Sequence, residues 1–535
     1  MKRQGACRSH SRLWNWVVPL LLAAFGWGGT PAFAQDEKST NDAALIEELK
    51  IYIPQVMRQH GTPGLNIALA RHGEVIWQEG FGYADLEKKI PMTAQTVLHS
   101  GSMGKTYTAT AIMQLVEQGI IGLYDPVNKY LKEFQVINPL GQRDVTVYDL
   151  LTHRSGLSSN EASPRFGAPE PLEQHLKEGY SQKMFEMYSG TLQPRWTAKV
   201  GEQFQYSNFG VATLGYLVEV TNPEKLSFSQ YVQKHIIDPL GMTSTQFPEV
   251  QDAAHVRPDI FARLSKGYAH LGPVDIPTPA IYFAAYPAGT VVTIPADHIR
   301  ILLAYLNGGN YHGYQLLKPE TVQHMLTFQT PFQSTHDKSG GIGLIWWLRN
   351  IDKPNFNFGH MGGHMFGWNN DFRAYPSQDF AVVVATNVWN MTDLSAQYVE
   401  GKEIGEFISS WIAHEKENVH HAELRSSWAW KVSYVMGLVM VDQVKGALGI
   451  KSPLSKELVE AMIKGAHVRT QDERGVSDWD PAGFRAGVED MLSVDMTVPT
   501  IKAFVASDRL RVPPAELGII FRELEANQVE IPIIQ

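Results

Sequence analysis

The sequence predicts an α+β fold: an antiparallel sheet with helices packed against it, followed by a helical extension. Three features carry that prediction. An early strand pair, residues 65–70 and 74–78 with a turn at His72 and Gly73, leads into one long helical segment and not into alternating strands and helices. In that segment Ala109, Ile112, Met113 and Val116 fall at the i, i+3, i+4, i+7 spacing of one buried helix face, with Gly119 as a natural stop. Strand patterns return only late, at residues 341–347, 356–360, 370–375 and 380–386. The early hairpin can complete one sheet with these late strands, which makes residues 43–412 one domain with its ends close together.

The other elements follow in order. Residues 1–34 read as a secretory leader, with Lys2, Arg3, Arg8 and Arg12 first, then a mostly apolar run, then Ala32-Phe33-Ala34 before Gln35. Losing them removes four basic residues and no acidic ones, which moves the net charge from -9 to -13. Cys7, the only cysteine, goes with them, so the mature chain has no internal disulfide, cysteine nucleophile or cysteine metal ligand. A periplasmic or secreted protein is expected. Its acidic balance argues against nucleic acid as a partner, and no later run reaches membrane-spanning length. At 535 residues, 44% hydrophobic and 19% charged, there is room for two or three domains.

Residues 43–57 predict an amphipathic helix through Ala44, Leu45, Leu49, Ile51 and Val56. Helices and irregular loops fill 124–238, with a polar loop over a cleft at 158–170. The stretch to 287 is proline-rich and extended, and helices are expected at 296–306 and 394–412. Residues 415–423 form a charged linker, and 424–535 a mainly helical accessory domain without a catalytic constellation; Pro453 and Pro513-Pro514 open helices there.

The chemistry centres on Leu98-His99-Ser100-Gly101-Ser102-Met103-Gly104-Lys105-Thr106. Ser102 falls at or just inside a helix N-terminus, and Lys105 lies one turn later on the same side. The ammonium and the unpaired backbone N–H groups help to stabilise an alkoxide, and the N–H of the serine can help hold an oxyanion. Two rival readings are an ordinary serine cap beside a surface lysine and a phosphate-binding loop ending in Gly104-Lys105-Thr106. The latter lacks its first glycine, since His99 stands there.

Downstream, Tyr206 can have a lowered pKa near a lysine and serve as the base, and Asn208 can donate to a substrate amide carbonyl. Phe358-Gly359-His360-Met361-Gly362-Gly363 reads as an edge strand whose glycines let a backbone approach substrate. The Gly363 N–H is the second candidate oxyanion donor, with His360 directed at the site. His360 and His364 are four apart, but Gly362-Gly363 opposes the helix a metal pair would need, so no metal is expected. His153 is expected to brace a loop.

Ser102-x-x-Lys105, Tyr206-x-Asn208 and His360-x-Gly362, in this order, resemble the three motifs of the serine β-lactamase and penicillin-binding protein superfamily. The His-x-Gly form of the third resembles its class C-like branch of D-aminopeptidases, carboxypeptidases and esterases. Leu150-Leu151-Thr152-His153-x-Ser155-Gly156-Leu157, Pro239-Leu240-Gly241-Met242, Pro287-Ala288-Gly289 and Tyr375-Pro376 match as well, covering residues 45–410. The resemblance implies a β-lactamase/transpeptidase-like α/β/α fold, with a five-stranded antiparallel sheet beside an all-helical subdomain and the cleft between them. It implies a cofactor-free acyl-enzyme on Ser102, with Lys105 and Tyr206 moving the proton and Asn208, His360, Gly362 and Gly363 receiving substrate. Amide substrates are expected, linear or D-amino-acid-containing peptides above all; branch members that degrade ring-opened microcystin are similar in length and export. A carboxylesterase or weak β-lactamase is the alternative within the fold, and an inactive sensor or binding protein the alternative outside catalysis. Two departures stand out: Gly104 inside Ser-x-x-Lys, and His360 where true β-lactamases carry lysine.

Overall fold

His72 (φ 54°) and Gly73 (φ 81°) both take left-handed backbone, the geometry of a two-residue turn whose twist matches its flanking strands. They join β1 (Gly64–Arg71) to β2 (Glu74–Asp85). The computed structural model describes residues 32–413 except 142, 159–163, 166, 187–191, 272–273, 281, 333–339, 365–366 and 392–397, together with 434, 437–438 and 483–488. The expected leader up to residue 31, most of the cleft loop, the linker and nearly all of the C-terminal extension lie outside the described residues.

Three late strands complete the sheet: β3 (Asn357–His364), β4 (Trp368–Tyr375) and β5 (Phe380–Thr386). The order is β3-β4-β5-β1-β2, antiparallel throughout. β1 is buried along its whole length because β5 covers its second edge, Leu65 lying opposite Thr386 and Arg71 opposite Phe380. The resemblance implies five strands and the sheet has nine. The added ones are two or three residues long: Trp347–Arg349, Gly341–Ile342 and Thr330–Pro331 beyond β3, and Ile90–Pro91 beyond β2. Short edge strands of this kind limit further pairing.

One expectation needs correction. Residues 341–347 do not form a single strand; the run folds back on itself, with Gly341 opposite Leu348 and Ile342 opposite Trp347. Gly343 N–H donates to Trp346 O at 2.8 Å, and Ile345 takes φ 70° while its N–H bonds Leu151 O at 2.8 Å. Burial of Trp346 in the core drives the turn.

Helices cover both faces. α1 (Ala32–His60) begins upstream of the expected start, and further on come α2 (Lys105–Glu117), α3 (Asn208–Thr221), α4 (Pro295–Leu306) and α5 (Val399–Ala413). Side chains alternate along β4, and the helices sort by that alternation. Gly401 and Gly405 of α5 lie against Asp371, Arg373 and Tyr375, while His298 of α4 meets Phe372 on the opposite face at 4.9 Å between rings. α1 packs on α5, with the Tyr52 and Phe407 rings stacked at 4.4 Å. α2 leaves the sheet to pack on α3, and short helices at Val147–Leu151, Leu172–Ser181 and Phe228–Val232 complete that lobe. Among the described residues no helix is long and apolar enough to cross a membrane.

Candidate active site

Ser102 stands in a single 3-10 turn, Gly101–Gly104, that runs straight into α2. This tighter winding keeps residues three apart nearly eclipsed, so Lys105 returns beneath Ser102. Lys105 Nζ lies 2.9 Å from Ser102 Oγ and donates to the Ala288 carbonyl oxygen at 2.7 Å. The side chain is wholly buried, and burial pushes its pKa well below the ordinary 10.5. Burial thus favours the uncharged amine, the form that can take a serine proton at that distance.

The turn is held by backbone against backbone. Gly101 has φ 56°, and a Cβ there would stand 2.5 Å from Gly363 O. A Cβ on Gly362 would stand 1.9 Å from Ser100 O. Gly104, the unusual residue inside the first motif, has its place filled from the other side, where a Cβ would lie 3.1 Å from Gly289 Cα and 3.3 Å from the Phe247 ring. A side chain in place of this glycine would push its neighbours back by a few tenths of an ångström.

Along β3 the face toward the turn reads His360, Gly362, His364, two residues apart each time. Gly362 leaves a flat place for the turn, and the two histidines rise on either side of it. The strand is only partly an edge: Trp347–Arg349 covers it as far as Gly359, and the sheet continues no further on that side from His360 to His364 among the described residues. His360 Nδ1 lies 2.5 Å from its neighbour's Met361 O, so the proton sits there and Nε2 is left as a lone pair without a hydrogen-bond partner among the described residues. Burial first, and the nearby Lys105 second, hold His360 well below its ordinary 6.5. Its ring is 6.3 Å from Tyr206 and 5.4 Å from Trp347.

Tyr206 comes from the loop before α3. Lys105 Nζ lies 4.9 Å from the centre of its ring, so the tyrosine and the Ser102–Lys105 pair share one pocket. Ser207 caps α3 by accepting from Gly210 N–H at 3.0 Å, which makes Asn208 the first helical residue. His153 fixes this loop. It takes φ 53°, its carbonyl accepts from Gln205 N–H at 2.7 Å, its Nδ1 accepts from Ser207 N–H at 3.1 Å, and its ring lies 4.8 Å from that of Tyr206. Burial pushes its pKa down to about 3, so the ring is neutral as the acceptor role requires.

The structure thus gathers Ser102, Lys105, Tyr206, His360, Gly362 and Gly363 around one point, and Asn208 follows Tyr206 two residues later at the start of α3. Spacing alone does not reveal Ala288 as the lysine's acceptor, since it lies 183 residues away. His364 turns away from the site, its Nε2 2.9 Å from Gln251 Oε1 and its ring stacked on His99 at 4.6 Å.

A buried lysine on a serine at the start of a helix, beside a tyrosine and a glycine-bearing strand, is an arrangement of β-lactamase type. A beta-lactamase family profile matches residues 49–400, and the chain belongs to that family, within the serine β-lactamase and penicillin-binding protein superfamily. Protein flp of Staphylococcus aureus strain MW2 is 28% identical over 211 residues, 39% of each chain. The chain thus spans about two fifths of the length of such relatives. The D-amino acid amidase of Ochrobactrum anthropi SV3 superposes with a TM-score of 0.55 at 21% identity, over 71% of this chain and 99% of that one. A penicillin-binding protein homologue from Pyrococcus abyssi gives 0.51 at 24% identity, over 64% and 73%. At these identities the likeness is one of fold.

Proposed function

We propose that this protein is an exported serine hydrolase that cleaves amide bonds through an acyl-enzyme, with linear and D-amino-acid-containing peptides as its substrates. The contact that carries the reading is Lys105 Nζ at 2.9 Å from Ser102 Oγ, made by a wholly buried amine. Ser102 Oγ attacks the carbonyl carbon while its proton passes to the Lys105–Tyr206 pair. The N–H groups of Ser102 and Gly363 receive the oxyanion, and His360 and Asn208 orient the substrate amide. Collapse expels the amine, which takes the proton; water then attacks the acyl ester with the same pair as base. The preference for amides follows the His-x-Gly branch that the third motif resembles.

Purified protein should be labelled by a fluorophosphonate at Ser102 and the Ser102→Ala variant should not. A panel of D-aminoacyl amides, linear peptides (a linearised microcystin among them) and carboxylic esters then ranks substrates by kcat/KM. Labelling with ester turnover alone would make it an esterase, and no labelling at all would leave a binding protein. Intact mass of exported protein should begin at Gln35; a mass retaining residues 1–34 would refute the leader.

A further inference from the structure

Behind the oxyanion side of the site lies a polar bridge that the mechanism leaves unused. Gln251 is buried, and its amide makes three bonds: Nε2 lies 2.7 Å from His99 Nδ1 and 2.8 Å from Thr290 O, and Oε1 lies 2.9 Å from His364 Nε2. The Thr290 carbonyl can only accept, so it fixes which way the amide points. Gln251 therefore donates to His99 and Thr290 and accepts from His364. Both imidazoles are buried, stacked on each other at 4.6 Å and edged by Trp368.

Each of the three residues reached by Gln251 belongs to a segment that carries part of the site. His99 is three residues before Ser102, on a short strand paired with Val292–Thr293. His364 directly follows Gly363 at the end of β3. Thr290 is two residues after Ala288, whose carbonyl holds Lys105. Asn370 ties two of these from the sheet, donating to His99 O at 2.8 Å and to Gly362 O at 3.0 Å. An apolar side chain would fill the space of Gln251 without the cost of burying an amide, so its three satisfied bonds point to a task beyond packing.

We infer that Gln251 is a positioning residue for the oxyanion hole, tying the Ser102 turn, the end of β3 and the Lys105-holding segment so that the N–H groups of Ser102 and Gly363 keep a fixed separation. This rests on the acyl-enzyme reading above. Oxyanion donors act over 2.7–3.1 Å, so loosening the tie lowers the rate of acylation before it touches substrate affinity.

The test compares native protein with Gln251→Leu, His364→Phe and the double variant, using an amide substrate, a fluorophosphonate and a boronic acid that adds to serine as a transition-state mimic. Gln251→Leu should lower kcat by about 10–100-fold with KM changed by about twofold or less, and boronate affinity should fall by the same factor as kcat. His364→Phe keeps the ring stack and deletes one bond, so a smaller loss of about 3–10-fold is expected, with the double variant no worse than Gln251→Leu. Native kcat and boronate affinity per labelled site in Gln251→Leu would overturn the proposal. Should that variant fail to fold, unchanged values in His364→Phe would overturn it equally. A native protein that reacts with neither probe defeats the acyl-enzyme reading, and this proposal with it.

Discussion

The two sides of the active site are held by different means. On the serine side the closest approaches are of backbone on backbone, Gly101 on Gly363, Gly362 on Ser100 and Gly104 on Gly289, with the Gln251 and Asn370 side chains bracing them from behind. On the tyrosine side a side chain does the holding, since His153 accepts from Ser207 and lays its ring beside Tyr206. A Cβ at Gly101 or Gly362 would meet a backbone oxygen at 2.5 Å or less, so something there must shift. A ring and a hydrogen bond can be loosened by degrees. The turn that carries the nucleophile thus rests on close backbone approaches that leave little room for a substituent, whereas the position of the tyrosine rests on one side chain.

The largest effect expected from this contrast is at Gly362→Ala. A Cβ 1.9 Å from Ser100 O must displace the turn or the strand, at a cost of about 4 kcal/mol or more, and both the thermal melt and labelling of Ser102 should be lost. A well-folded, reactive Gly362→Ala protein would show that the glycine contacts do not set the turn.

Next come the groups between the two sides. Tyr206→Phe and Lys105→Ala should each lower acylation by about 10²–10⁴-fold, and the double variant should be little worse, because residues acting as one unit are not additive. The acidic limb of kcat/KM should then belong to this pair. It should not belong to His153 or His360, whose lowered pKa values keep both rings neutral. A Tyr206→Phe enzyme that acylates normally would leave Lys105 as the sole base.

Stability should follow pH through buried histidines on both sides. His153, His298 and His364 are pushed down to about 3, and His99 and His360 well below 6.5, in each case chiefly by burial. Unfolding returns them to about 6.5 and takes up protons, so the stability they contribute is full above that pH and is lost as pH falls toward 3. Three carboxyls with pKa raised by burial, the half-buried Glu219 and the buried Asp297 and Glu400, act in the opposite direction, against five histidines. Melting midpoints measured between pH 7 and 3 should therefore fall steadily, and a flat profile would contradict the neutral rings.

The smallest effect is at His153→Phe, which keeps a ring beside Tyr206 but leaves the Ser207 N–H without its acceptor. That should cost about 1–3 kcal/mol of stability. Turnover should fall by less than the ~10²-fold that a misplacement of about 1 Å produces. Separate measurement of the melt and of kcat checks both, and an effect as severe as that of Gly362→Ala would erase the distinction between the sides.

Much of this was legible in the sequence where it depends on local spacing. Ser102 and Lys105 are three apart, and the turn between them delivers the contact. The hairpin at His72-Gly73 and the periodicity of residues 109–116 likewise need no tertiary knowledge. What escaped depends on chain segments far apart. Gly104 looked anomalous until Gly289 lay against it, and His99 looked like a missing glycine until Gln251 and His364 reached it. The run 341–347 alternates like a strand, yet Ile345 at φ 70° turns it back because Trp346 is drawn into the core. Burial chosen by the rest of the fold overrode the local pattern there.

The pairing of β1 with β5 also governs when the protein can fold. Leu65 meets Thr386, and every later partner in that register is likewise separated by some three hundred residues of chain. No shorter stretch emerging from a ribosome can close the centre of the sheet, and a pairing so distant is slow because the loop must close before any contact rewards it. Until residues 380–386 are available β1 has only β2 beside it, and its other edge stays open. If the proposed leader carries the chain across a membrane, that delay would leave it threadable during translocation, with the open edge of β1 in need of shielding on the way.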